Sequence, residues 1–186
     1  MKKQLIVSFC VALATGLSSI TAAEMMKADL GKTLSDASAS AKAKMEAIDS
    51  YVKEVEKSAS SYTRKEGEIA ADSVKKFTDE TWSKMHGYFD GEELKRMKLY
   101  PAAGSQKTEE FYYYDGEPVF VFLEKNGAGK ENHDQNAVGT KYYFADGKLV
   151  EAMGPDGKSL DVKSEKEQAM GAKLMKESAA FRGMLK

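Results

Sequence analysis

The chain has 186 residues, 28 basic and 29 acidic side chains, a net charge of −1 and one cysteine. That length is enough for a real hydrophobic core. The charges are interspersed, with no basic stripe of the kind that binds nucleic acid and no acidic block of the kind that forms a disordered tail, and one cysteine cannot make a disulfide framework.

Lys2 and Lys3 open the chain, residues 5–17 form an uncharged apolar run, and Thr21, Ala22 and Ala23 follow as small residues before Glu24. This order predicts a secretory signal cleaved after Ala23, because the run is shorter than the roughly 20 residues that span a bilayer. Cys10 lies inside the signal. The bulky Phe9 before it and the continuing apolar run argue against a lipid-acceptor cysteine. The exported chain is then expected to be soluble, periplasmic or extracellular, with no thiol for catalysis, disulfides or metal.

Residues 24–66 read as a long amphipathic helix. "AKAKMEAIDSYVKEVEKSASSY" spaces Ala41, Met45, Ile48, Val52, Val55, Ala59 and Tyr62 alternately by four and three, a heptad seam, and Leu30 and Leu34 roughly extend it. Such a stripe needs a cover. Two readings are open: the helix lies on its own sheet, or it pairs as a coiled-coil dimer. Gly67 is the expected helix stop, and residues 67–81 read either as a loop with a helical turn or as a first strand.

Three related segments follow: "YFDGEELKRMKLYPAAG", "YYYDGEPVFVFLEKNG" and "YYFADGKLVEAMGPDG". Each has an aromatic run, an Asp-Gly pair, an apolar stretch and a glycine-containing turn. Asp-Gly between such runs signals a β-hairpin with a type I′ turn, so residues 67–162 are expected to form an antiparallel meander of about six strands. With Asp115 and Gly116 central, the second hairpin is expected to pair Tyr112 with Val119 and Glu110 with Val121 on one face. Tyr113 with Pro118, Phe111 with Phe120 and Glu109 with Phe122 fall on the other. Both faces are apolar, which predicts a central hairpin covered on both sides or one aromatic face offered to a partner. In the third hairpin, Phe144 with Leu149 and Tyr142 with Glu151 share a face, and Tyr143 pairs with Val150. In the first, Glu92 and Glu93 can lengthen the turn, which leaves its register open.

Residues 126–139, "NGAGKENHDQNAVG", read as an exposed loop. Residues 163–186 read as a closing helix with a capping box from Ser164 to Glu167 and with Met170, Leu174, Phe181 and Leu185 on one face. The expected fold class is α+β: a long N-terminal helix, a meander and a C-terminal helix, with residues 24–186 as one domain.

This order of pieces resembles a group of uncharacterised secreted bacterial proteins. In that group a helix like "IDSYVKEVEKSASSY" precedes a pair like "YFDGEELKRMKLY", a hairpin like "EEFYYYDGEPVFVF", a polar loop, a hairpin like "KYYFADGKLV" and a final helix. The group has no established activity, so the resemblance implies a fold and brings no catalytic residues.

No constellation for chemistry emerges. His133 beside Glu131 and Asp134 lacks a second histidine at ligand spacing, and His86 reads as a strand residue. Ser35, Ser38, Ser40, Ser58, Ser60 and Ser61 sit in helical sequence, outside any nucleophile elbow. Asp90, Asp115 and Asp146 are explained by turn geometry. Glu92, Glu93, Glu109 and Glu110 have no recognisable partners. "GAGK" lacks phosphate-loop spacing. No catalytic residue, metal or cofactor is therefore assigned. Phe111, Tyr113, Phe120 and Phe122 are the candidate partner-binding aromatics. The expected function is an exported, non-enzymatic module binding an unknown protein or small ligand, monomeric rather than a coiled-coil dimer, with no nucleic acid and no membrane span after signal removal. The alternative is a small carboxylate-dependent hydrolase acting on a carbohydrate or envelope substrate.

Overall fold

The computed structural model describes residues 22–69, 80–127 and 137–185. Residues 1–21, most of the expected signal, and the cluster around His133 lie outside these residues.

The fold is α+β. Helices α1 (Ala22–Ser35) and α2 (Ala41–Ser58) lead into seven strands: β1 (Thr63–Glu68), β2 (Trp82–Asp90), β3 (Glu93–Pro101), β4 (Thr108–Tyr114), β5 (Glu117–Glu124), β6 (Gly139–Ala145) and β7 (Lys148–Met153). Helix α3 (Glu165–Arg182) closes the chain. The strands form one antiparallel sheet in sequence order, a meander. The sheet has seven strands rather than about six.

The extra strand comes from sequence read as helix. The helical region is interrupted where Asp36 Oδ1 accepts bonds from the Ser38 amide (2.8 Å) and hydroxyl (2.6 Å), an Asx turn that competes with the helix ladder. Ser40 then caps α2 by accepting from the Ala43 amide. After a 3₁₀ turn at Ala59–Ser61, "TRKEGE" pairs along β2 from Thr63↔Phe89 to Glu68↔Lys84. Gly67 is therefore a strand residue and not a helix stop. A side chain there would run into Met85. Backbone pairing overrides local helix propensity, and the charged side chains of β1 suit an edge strand.

The turns follow the sequence closely. Asp115 and Gly116 (φ 49° and 77°) and Asp146 and Gly147 (φ 50° and 69°) both take positive φ, the type I′ requirement. In the first hairpin Asp90 pairs with Glu93, so Gly91 (φ 61°) and Glu92 are central, and only the first has positive φ. That is the type II′ arrangement, which wants glycine first.

Beyond the turns each hairpin skips one residue at the same offset, and the first skips Ser83 as well. Lys95, Val119 and Val150, each three positions past the second central turn residue, have no cross-strand partner. A β-bulge turns two successive side chains toward one face. The simple alternation expected for the second and third hairpins therefore fails beyond the first two pairs. Tyr112 faces Phe120, Phe111 faces Val121 and Glu110 faces Phe122. Pro118, which has no N–H for the ladder, immediately precedes the skipped Val119. In the third hairpin Tyr143 faces Glu151 and Tyr142 faces Ala152.

Both sheet faces are covered. Against one, α1 and α2 bury Leu30, Leu34, Ile48, Tyr51, Val52 and Val55 on Tyr112, Val119, Phe120, Phe122 and Tyr143. Against the other, α3 buries Leu174 and Phe181 on Met97, Leu99, Phe111, Tyr113, Val121 and Phe144. The heptad seam is thus spent on the chain's own sheet. Ser164 caps α3 through the Glu167 amide and Met170 flanks its buried face as expected, whereas Leu185 lies past the end of the helix at Arg182 and packs on the same core from there.

Candidate functional site

The tyrosine run turns out to be a clamp. Tyr112 Oη donates to Glu56 of α2 (2.8 Å), Tyr113 Oη bonds Ser178 Oγ of α3 (2.9 Å), and Tyr114 Oη donates to the Lys27 carbonyl of α1 (2.8 Å). Three successive residues fix three helices, because alternation sends Tyr113 to one face and its neighbours to the other. Tyr51 Oη of α2 returns a bond to the Tyr113 carbonyl, and Tyr143 Oη donates to Asp49 (3.0 Å). Burial holds the Tyr112, Tyr113 and Tyr143 phenols above their usual pKa.

The four aromatics proposed as a partner-binding set do not share a face. The Val119 bulge places Phe111 and Tyr113 under α3 and Phe120 and Phe122 under α1 and α2. All four are at most 2 % exposed, so they form no uncovered aromatic platform.

Two polar groups inside the fold matter more. On the α2 face, Arg96 and Lys98 of β3 reach Glu110 of β4 at 3.1 and 2.5 Å. Arg96 Nε lies 3.4 Å from Glu56, Lys98 lies 3.9 Å from Glu124, and Tyr112 Oη is 3.0 Å from Glu110. The Arg96 guanidinium stacks over Tyr88 at 5.0 Å. His86 packs on Tyr100 at 4.7 Å with Nε2 3.7 Å from Glu66. Such a buried network persists only when its charges are paired, and here Arg96, Lys98 and Tyr112 all hydrogen-bond Glu110.

The second group sits at the sheet end opposite the Asp-Gly turns. There a pocket of about 230 Å³ is walled by Trp82, Glu109, Leu123, Glu124, Met170 and Lys173, with Glu80, Lys107 and Lys125 also lining it. Glu109 is 6 % exposed and Trp82 2 %. Among the described residues, neither Glu109 Oε2 nor the Trp82 indole N–H has a hydrogen-bond partner. Burial is the main cause that holds the Glu109 carboxyl well above the ordinary carboxylate range, and the nearby Glu177 adds to it; Lys173 opposes it. Glu124 accepts from Thr108 Oγ1 (3.4 Å). Gly127 lies against this pair so closely that a Cβ would fall 2.1 Å from Thr108 Oγ1.

A buried carboxyl with a raised pKa in a concave site is a physical mark of function. Sequence reasoning named Glu109 without finding a partner and gave Trp82 no role. Its one usable signal was a carboxylate on the apolar face of a strand. Among the described residues no group of three or more His, Cys, Asp or Glu side chains is placed to hold a metal ion. No described helix is long and apolar enough to cross a membrane.

No family model, curated protein or solved structure matches the chain. The fold and site therefore define its class directly: an α+β protein whose antiparallel meander is covered on both faces and opens at one end into a small pocket of mixed apolar and charged lining.

Proposed function

We propose that this is an exported, non-enzymatic binding protein whose ligand site is the pocket at the open end of β4, β5 and β6. The observation that carries this reading is a pocket walled by two buried residues, Glu109 and Trp82, whose Oε2 and indole N–H have no hydrogen-bond partner among the described residues. An unmade buried hydrogen bond costs about 1–3 kcal/mol. A ligand that draws either group toward the pocket by a side-chain shift recovers part of that cost. Export rests on the basic start and apolar run of residues 1–23.

Trp82 is the only tryptophan, so one indole N–H resonance reports on the site. Titrating the chain with a small-molecule panel of carboxylates, amines, amides and sugars is expected to give saturable shifts of that resonance and of the Met170 methyl. Shifts confined to α1 and α2, or none at all, would overturn the reading. Removing residues 2–23 is expected to leave the protein in the cytosol on cell fractionation.

One observation favours a second reading, a carboxylate-dependent hydrolase. Glu109, whose carboxyl burial holds above the ordinary carboxylate range, and Glu124 line the same pocket, and acid catalysis needs a carboxyl of raised pKa beside a second carboxylate. Turnover of aryl glycosides that disappears in both Glu109→Gln and Glu124→Gln would support it; no turnover by the wild-type chain would end it.

A further inference from the structure

Helix α1 is joined to the fold differently at its two ends. Among its described side chains only Leu30 and Leu34 are buried, whereas α2 buries Lys44, Ile48, Tyr51, Val52 and Val55. The C-terminal end of α1 is pinned. Lys44 Nζ of α2 donates to the Leu34 carbonyl at 2.8 Å, which satisfies a last-turn group, and the Asp36 turn follows at once. The N-terminal half is held by two polar contacts. Tyr114 Oη donates to the Lys27 carbonyl, and Lys27 Nζ lies 3.4 Å from Glu93. Gly31 makes room for the first of these. It is the i→i−4 partner of the Lys27 carbonyl, and a Cβ there would fall 2.5 Å from Tyr114 Oη. α1 also walls two cavities. Met26 and Lys27 line one of about 330 Å³ with Tyr51 and Val55, and Gly31 and Leu34 line one of about 480 Å³ with Tyr114 and Val119.

We propose that α1 is a strap, hinged between Leu34 and Asp36 and latched where Tyr114 meets Gly31 and Lys27, that opens as a unit while α2 and the sheet stay folded. A segment with few buried apolar side chains opens at a free energy below that of global unfolding. Releasing this latch strands no charge. Glu93 keeps Lys95, and the Tyr114 ring keeps its edge contact with Tyr51 at 5.8 Å. The Tyr114 hydroxyl and the Lys27 carbonyl exchange each other for water, so only the net worth of one hydrogen bond is lost. The Lys27–Glu93 pair, with both side chains more than a third exposed, adds little to the hold. A detached helix of 14 residues is marginal in water, so the opened strap unwinds. Opening removes a wall from both cavities.

The test is native-state hydrogen exchange on the full chain, read amide by amide, with α2 as the internal reference. In the wild type the interior amides of α1 are expected to exchange through one common opening, roughly a hundredfold less protected than those of α2. Tyr114→Phe is expected to raise exchange across α1 about fivefold, the loss of one hydrogen bond, and to leave α2 unchanged. Gly31→Ala is the sharper variant. Alanine favours helix, yet its methyl displaces Tyr114, so α1 exchange is expected to rise by at least as much. Exchange of α1 and α2 at one rate in the wild type would overturn the strap, because the helices then open only together. A variant that raises exchange in both helices equally would do the same. Fast α1 exchange that neither variant raises, or that Gly31→Ala slows, would overturn the latch and reduce the motion to fraying of a helix end.

Discussion

Glu109 and Glu110 are one peptide bond apart and meet opposite fates. Alternation along β4 sends Glu110 toward α2, where Arg96, Lys98 and Tyr112 surround it, and Glu109 toward α3, where the nearest strong influences are burial and another carboxylate, Glu177. The same side chain is a satisfied structural anchor on one face and, on the other, a carboxyl of raised pKa at a pocket wall. What decides between them is the set of donors that the neighbouring strand and helix supply.

Glu110→Ala should break this comparison hardest. It leaves Arg96 and Lys98, both at most 1 % exposed, without their shared carboxylate. Breaking a buried pair by removing one partner costs about 3–5 kcal/mol. Urea denaturation at pH 7 is expected to show a loss in that range. A loss below about 1 kcal/mol would mean that the cations do not depend on Glu110, and the contrast with Glu109 would fail.

Glu109→Gln should act in the opposite direction and with a defined pH dependence. A carboxyl whose folded pKa is raised binds more protons in the folded state than in the unfolded state, so stability declines as pH rises. The loss starts near the unfolded value of about 4.3 and ends at the raised folded pKa. Within that window the slope from this group approaches about 1.4 kcal/mol per pH unit. The variant, which cannot ionise there, is expected to match the wild type near pH 4 and exceed it by pH 8. The difference between the two denaturation curves across pH isolates Glu109 from every other titrating group. A constant difference would show that Glu109 ionises at an ordinary pH.

Parts of this contrast can be read in the sequence and parts cannot, for physical reasons. Asp115-Gly116 and Asp146-Gly147 announce their turns because positive φ at two successive positions restricts the residue choice. Ser164 and Glu167 announce the start of α3 in the same local way. The apolar character of both faces of the second hairpin correctly implies cover on both sides. The bulges at Lys95, Val119 and Val150 are not legible, since turn chemistry fixes only the first two pairs and packing decides the rest. That is why Phe120 and Phe122 lie on the face opposite to the one expected. The strand "TRKEGE" is hidden because its identity depends on pairing with β2 and not on its own propensity. Glu110 needs Arg96 and Lys98 opposite it, which depends on the register of β3 against β4 across the intervening turn. Trp82 meets Glu109 only because the meander order and α3 bring them to one wall.

The smallest effect probes how completely Glu110 is satisfied. Tyr112→Phe removes one hydroxyl that is shared between Glu56 and Glu110 and leaves the ring in its edge contact with Phe120 at 5.5 Å. Glu110 keeps both cations and Glu56 keeps Arg96. No carboxylate is then stranded, so only the net worth of one hydrogen bond is lost, about 1 kcal/mol. The same deletion at Tyr113 would leave Ser178, which is 2 % exposed, without that bond on the α3 face. If Tyr112→Phe instead costs as much as Glu110→Ala, the hydroxyl is an indispensable member of the cluster, and the network on the α2 face stands or falls as a unit.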